Sequence, residues 1–236
     1  MIDRPLVVAI DGPAASGKSS TAQWVARELG VLHADSGALY RAATAARLRD
    51  DAAADAERWT EDSVLEAVRR VSLVPGETTF VPLLDGAAAD DELRGDAVTR
   101  HVSRVAKMPR VREWVNDQVR ACARAHAIVV DGRDIGTAVL PDAAVKIFLV
   151  ADPWERARRR LLQRLSRAPQ ESEIAEETDR LVQRDALDAL QTVQAPDAIL
   201  IDTTYLTQRE QVERIVALAR AVERGGSRGP SPAGDA

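Results

Sequence analysis

Apolar positions in this chain fall into short continuous runs separated by longer periodic stretches. Leu6-Val7-Val8-Ala9-Ile10 is unbroken and rich in β-branched residues, which predicts a strand covered on both faces. A glycine-rich turn follows, then a helix over 18–29 stopped by Gly30. A second strand over 31–34 leads to Asp35-Ser36-Gly37 and a helix over 38–49 rich in Ala and Arg. Strand, loop, helix, strand, helix is the opening of an α/β fold. The texture then changes. Val71–Val74 and Thr78–Leu84 read as short strands joined at Pro75-Gly76, with a further turn at Asp85-Gly86. They predict a small β-containing insertion over 59–99.

Behind Pro109, the residues Val111, Trp114, Val115, Val119 and Cys122 recur at helical spacing. Strands are predicted over 128–130, 145–150 and 198–202. A helix from Pro153 is expected to turn Trp154, Ala157, Leu161, Leu162 and Leu165 inward and Arg156, Arg159 and Arg160 outward. The polar stretch 166–177 reads as a loop, 181–191 as helix, and Val212, Ile215, Val216 and Ala219 as the inner face of a last helix. From about 224 the chain is rich in Gly, Ser and Pro and predicts a disordered tail. The pieces sort into a core (1–58, 100–150 and 192–223), the insertion, and a lid region over 151–191.

Composition narrows the function classes. With 236 residues, 45% hydrophobic and 29% charged, the chain can bury a full core, and its scarce aromatics (3%) leave that core to Ala, Val, Leu and Ile. A formal charge of −5 gives no basic footprint for a nucleic acid polymer. No stretch is long and apolar enough for a membrane span. The single cysteine, Cys122, suits a reducing cytoplasm and a small buried role. His33, His101 and His126 share no metal-ligand spacing. A monomer is expected.

The chemistry is concentrated in Gly12-Pro13-Ala14-Ala15-Ser16-Gly17-Lys18-Ser19, which fits G-x-x-x-x-G-K-[ST] between a predicted strand and a predicted helix. Such a loop turns backbone N–H groups toward a triphosphate, and the helix behind it adds its positive end. Lys18 would meet the β- and γ-phosphates, and the Ser19 hydroxyl would ligate Mg²⁺. Ser20 borders the same loop. Asp131, at the end of a strand, would organise the metal through water, with Arg133 as a phosphate donor and Asp134 as a free acceptor. Arg41 follows the Asp-Ser-Gly turn. Arg156, Arg159, Arg160 and Arg164 are either a solvated face or groups that close over the migrating phosphoryl. Arg184, Asp188 and Gln191 share one helix face.

The ordered set Ile10-Asp-Gly-Pro-Ala-Ala-Ser-Gly-Lys-Ser-Ser20, Asp35-Ser-Gly-Ala-Leu-Tyr-Arg41, Val102-Ser-Arg-Val-Ala106, Pro109-Arg-Val-Arg-Glu113, Asp131-Gly-Arg-Asp-Ile-Gly-Thr137 and Pro141–Leu149 resembles the bacterial cytidylate kinases over residues 5–222. The resemblance implies a phosphate-loop core with a five-stranded parallel sheet, a lid, and the extra small domain of the family's long form. It implies that ATP and CMP or dCMP react to give ADP and CDP or dCDP. By position, Lys18, Arg133 and Arg184 would act in catalysis. Residues 12–20 and Arg159 would bind ATP. Ser36, Arg41, Ser103, Arg112, Arg133, Asp134 and Asp188 would bind CMP, with Ser103, Arg112 and Asp134 reading the base. Leu187 and Gln191 stand where the longer pattern often has Arg, in a segment a few residues shorter. A UMP- or AMP-directed kinase and a non-catalytic nucleotide-binding module are the alternatives.

Overall fold

The computed structural model describes residues 5–50 and 58–226. A five-stranded parallel sheet runs through it, built from β1 (Val7–Asp11), β2 (Leu32–Asp35), β6 (Ile128–Asp131), β7 (Val145–Val150) and β8 (Ile199–Asp202). Their order is β2-β6-β1-β7-β8. Val8, Ala9, Ile10, Ile128, Val129, Val130 and Ile147 are fully enclosed, as the continuous apolar runs predict for strands covered on both sides. The register sets Asp131 opposite both Ile10 and Asp35, and Asp11 opposite Phe148. The carboxyl ends of the three inner strands therefore converge where the strand order reverses around β1, the place where open α/β sheets bind ligands.

Helices cover both faces. α1 (Lys18–Leu29) and α9 (Gln208–Gly226) pack on one, and α6 (Pro109–Ala125) on the other, where Val115, Val119 and the buried Cys122 join the core. α2 (Ser36–Asp50) is capped by Asp35, whose Oδ1 accepts the Ala38 N–H at 3.1 Å. The alanines of α2 let a second apolar layer approach closely. That layer holds α3 (Glu61–Ala67), α4 (Asp90–Arg94), α5 (Asp96–Val105) and an antiparallel sheet of β3 (Val71–Pro75), β4 (Phe80–Leu84) and β5 (Ala87–Ala88). Asp85 and Gly86, both at positive φ, make the tight β4–β5 turn. A bridge between His33 and Thr79 ties this sheet to the main one.

Three sequence expectations are corrected. Residues 166–177 are not all loop: α8 runs over Glu171–Asp188. Its start is fixed by a capping box between Gln170 and Glu173. Only Ile174 and Leu181 supply an apolar stripe, and the buried place between them is taken by Glu177, which pairs with Arg160 at 3.0 Å. On α7 (Pro153–Arg164) the inward face is rotated. Arg156 is 4% exposed, whereas Trp154 and Leu162 are 39% and 45% exposed. The guanidinium of Arg156 finds acceptors inside, so it displaces apolar neighbours from the face they were expected to share. Finally, α9 continues to Gly226, past the predicted start of the tail; residues 227–236 lie outside the described residues.

Candidate active site

A cavity of about 850 Å³ opens at the carboxyl ends of the inner strands. One half is built by the loop between β1 and α1. Ala15 and Gly17 take positive φ, which bends the loop around its own amides. α1 starts at Lys18 with neither a capping side chain nor an acidic residue in its first turn, so its N-terminal amides keep their charge for an outside anion. Lys18 Nζ donates to the Pro13 carbonyl at 2.6 Å. Removal from water, and then the charge of Arg133, pull the Lys18 ammonium down to about 8, against the opposing pull of Asp131 and Asp11. Ser19 Oγ donates to Asp131 Oδ2 at 2.5 Å. Ser20 Oγ donates to the Gly17 carbonyl at 3.0 Å. Ala14, Ala15, Gly17, Lys18, Ser19 and Ser20 line the cavity, whereas Gly12, Pro13 and Ser16 stand behind its wall. At Gly12 φ is +148°, and an added Cβ would lie 2.1 Å from the Leu149 carbonyl oxygen, so the loop leaves β1 where only glycine passes.

The other half is cationic. Arg133 reaches in from the segment after β6, and its Nη2 meets Asp188 Oδ2 at 2.9 Å while the buried Nη1 has no hydrogen-bond partner. Arg184 approaches the same Asp188 oxygen at 3.6 Å. Arg41, from α2, donates to the Leu93 carbonyl at 3.1 Å and to Thr99 Oγ1 at 3.0 Å. Burial lowers the pKa of Arg41 and of Arg133, each opposed by a carboxylate, Asp35 and Asp188 respectively. Beyond them Arg112 Nη2 is paired with Asp134 Oδ2, and its guanidinium lies 6.0 Å from the centre of the Tyr40 ring. Ser103 lines this end from α5. The Ser36 hydroxyl is already engaged, donating to the Asp131 carbonyl at 2.8 Å. Arg159 borders the first half and donates to the Thr203 and Thr204 carbonyls at 2.6 and 2.9 Å. Every cavity-lining side chain singled out in the sequence is thus drawn from separate segments into one cleft.

Several residues of this assembly were missed from sequence. His33, for which the sequence suggested only that it shares no metal-ligand spacing, places Nε2 2.7 Å from Asp131 Oδ1 and Nδ1 3.2 Å from Thr79 Oγ1. Burial pulls its pKa down, but the hydrogen bond to Asp131 together with the charges of Asp131 and Asp35 outweighs that, and the net shift is upward. A signal existed: His33 lies two residues before Asp35, on the same side of β2. His101 and His126 instead lie against Trp59 and Phe80. Asp35 is pushed up to about 6 by burial and by Asp131. Asp185 of α8 accepts from Arg156 Nη1 at 2.6 Å and from the Ala14 amide at 3.3 Å, which puts a carboxylate against the phosphate loop. Arg156 Nη1 also donates to the Ala14 carbonyl at 2.8 Å. No spacing rule announces the contact between Asp185 and Ala14, because its partners are 171 positions apart in sequence.

The chain as a whole is similar to known proteins. Cytidylate kinase of Geobacillus kaustophilus is 42% identical over 221 residues, covering 91% of this chain and 96% of that one. Cytidylate kinase of Bacillus cereus strain G9842 is 40% identical, with 94% and 99% covered. That of Chlorobaculum tepidum is 38% identical, with 93% and 94% covered. The family model described as cytidylate kinase matches residues 8–221, from the first strand to the last helix, and the chain belongs to the cytidylate kinase family.

Proposed function

We propose that this chain transfers the γ-phosphoryl group of ATP to the phosphate of CMP or dCMP, giving ADP and CDP or dCDP. The observation that carries the reading is the two-sided cleft. Loop amides and Lys18 form one anion site; Arg41, Arg133 and Arg184 form a second; the Arg112–Asp134 pair lies beyond it. Two polyanions held end to end need little covalent help, because an ionised CMP phosphate oxygen is already the nucleophile. It forms the new bond to the γ-phosphorus as the bond to the β–γ bridging oxygen breaks, and the electron pair leaves with ADP. Lys18 and the arginines neutralise charge that spreads over the moving group.

The base is read by polarity. Cytosine presents an amine donor that Asp134 accepts, and acceptors at O2 and N3 that Arg112 serves, whereas uracil would bring a carbonyl against Asp134. Asp188 would bind the sugar hydroxyls and Arg159 would flank the ATP end. Mg²⁺ fits the donors present: one hydroxyl, Ser19, with the Asp131 carboxylate 2.5 Å behind it, leaving the remaining positions to phosphate and water oxygens. When bound, the ion would neutralise the β- and γ-phosphates. Among the described residues no helix is long and apolar enough to cross a membrane.

The test is a panel of nucleoside monophosphates in a coupled ADP-release assay. CMP and dCMP are expected to turn over far better than UMP or AMP. Equal rates for UMP would reassign the acceptor, and ATP binding without any product would reject catalysis. Lys18→Ala is expected to lose nearly all turnover while remaining folded by circular dichroism.

A further inference from the structure

Asp11 is the last residue of β1 and directly precedes the phosphate loop, yet it faces away from that loop's amides. It is 3% exposed. Its two oxygens take one hydrogen bond each: Oδ1 from the Ile135 N–H at 2.9 Å and Oδ2 from the Gly136 N–H at 2.8 Å. Those amides begin a helical turn over Ile135–Val139. Within that turn the Asp134 carbonyl accepts from the amides of residues 137, 138 and 139, at 3.3, 2.8 and 3.3 Å. The first two amides have no acceptor in their own turn, as at every helix start. Ile135 and Gly136 are both buried, so water does not serve them either. A side chain from a different strand acts as the cap.

The turn holds the segment that carries Arg133 and Asp134. We infer that Asp11 is a positioning residue for base selection: its carboxylate fixes the start of the 135–139 turn and so aims the Asp134 carboxylate at the acceptor nucleotide. This rests on the reading of Asp134 as the group that meets the cytosine amine. Asp11 is a rigid anchor, because β1 is hydrogen-bonded on both sides, to β6 and to β7. Two donors require two acceptors. Asparagine has the same shape but one acceptor, and its amide nitrogen would oppose the second N–H. An added Cβ at Gly136 would lie 3.4 Å from Asp11 Oδ2 and 3.3 Å from Lys146 Cδ, so a methyl there would press on both without a severe clash. Among the described residues no cation is hydrogen-bonded to Asp11. Burial pushes it up to about 6, the two amides pull it back, Asp134 pushes it further up, and Lys18 pulls it down. Lys146, the other charged neighbour, directs its ammonium to Asp197. A fold that needed only bulk here would have no reason to bury an ionised group.

The test uses the full chain. Asp11→Asn is expected to raise KM for CMP about tenfold and to narrow the CMP-over-UMP preference, with KM for ATP unchanged. Gly136→Ala approaches the same contact from the other side, is expected to shift the same two quantities in the same direction by less, and carries the test if Asp11→Asn does not fold. In the unmutated protein without nucleotide, the Ile135 and Gly136 amide resonances are expected to titrate together with a midpoint near the pKa of Asp11. Folded variants that keep the CMP KM and the CMP-to-UMP ratio, or amides that do not titrate, would overturn the inference. Failure of the unmutated protein to prefer CMP would instead reject the base reading itself, so the two outcomes are separate.

Discussion

The state of Lys18 can be measured through the protons that accompany ATP binding. Its pKa sits at about 8 in the free protein, because the amine is drawn out of water and shares its surroundings with Arg133 and Arg184. A bound triphosphate places several negative charges against it and restores the ordinary lysine range, above about 10. Between those two values the complex holds more protons than its free components. Binding therefore takes up protons, and affinity falls as pH rises through that window. The fraction neutral in the free protein sets the size: about 0.5 proton per ATP at pH 8, about 0.9 at pH 9 and about 0.1 at pH 7. From pH 8 to pH 9 the ATP association constant should drop about fivefold. Isothermal titration calorimetry in two buffers of unlike ionisation enthalpy reads the uptake directly. Asp11 and Asp35, each at about 6, are already ionised there and stay silent. Lys18→Arg supplies the control, since a guanidinium remains charged throughout. Absence of uptake at pH 9, or the same uptake in Lys18→Arg, would mean that Lys18 is not the group that gains the proton.

Two further predictions concern stability. Asp35 has a raised pKa, so the stability it lends is complete below about pH 4 and is lost as pH rises through about 6. Asp35→Asn keeps the acceptor for Ala38 and should raise the thermal midpoint above pH 6 while matching the unmutated protein below pH 4, as read by melting curves across pH; a midpoint lowered at pH 8 would refute the sign. Gly12→Ala pushes a methyl into the Leu149 carbonyl at 2.1 Å with φ at +148°. It should cost about 3 kcal/mol or more in urea denaturation, and an unchanged midpoint would show that β1 and β7 can part there.

Features carried by neighbouring residues were legible in the sequence. The phosphate loop is one contiguous motif flanked by a β-branched run and a periodic stretch, and β1 and α1 form where that pattern places them. The turn after β4 was visible through Asp85-Gly86, because few residue pairs accept two consecutive positive φ values, whereas the short β5 beyond it was not. α8 was half hidden. Its exposed face is charged, and its buried face substitutes Glu177 for an apolar residue, which pattern reading scores as polar. Arg156 misled for the same reason: a buried guanidinium with its own acceptors looks, in sequence, like surface. Asp11, His33 and Asp185 owe their importance to strand register and the placement of α8, and those follow from the fold as a whole.

Three arginines of the cationic half already have a carboxylate companion: Arg133 and Arg184 share Asp188, and Arg112 has Asp134, whereas Arg41 is held by the Leu93 carbonyl and Thr99 Oγ1. These pairs offset part of the repulsion among the cations of the cleft. An anion that entered there would trade an internal carboxylate for its own charge, so its electrostatic gain would be a difference rather than a full attraction. Such trading tempers affinity for everything that enters, and it gives the departing diphosphate a ready replacement.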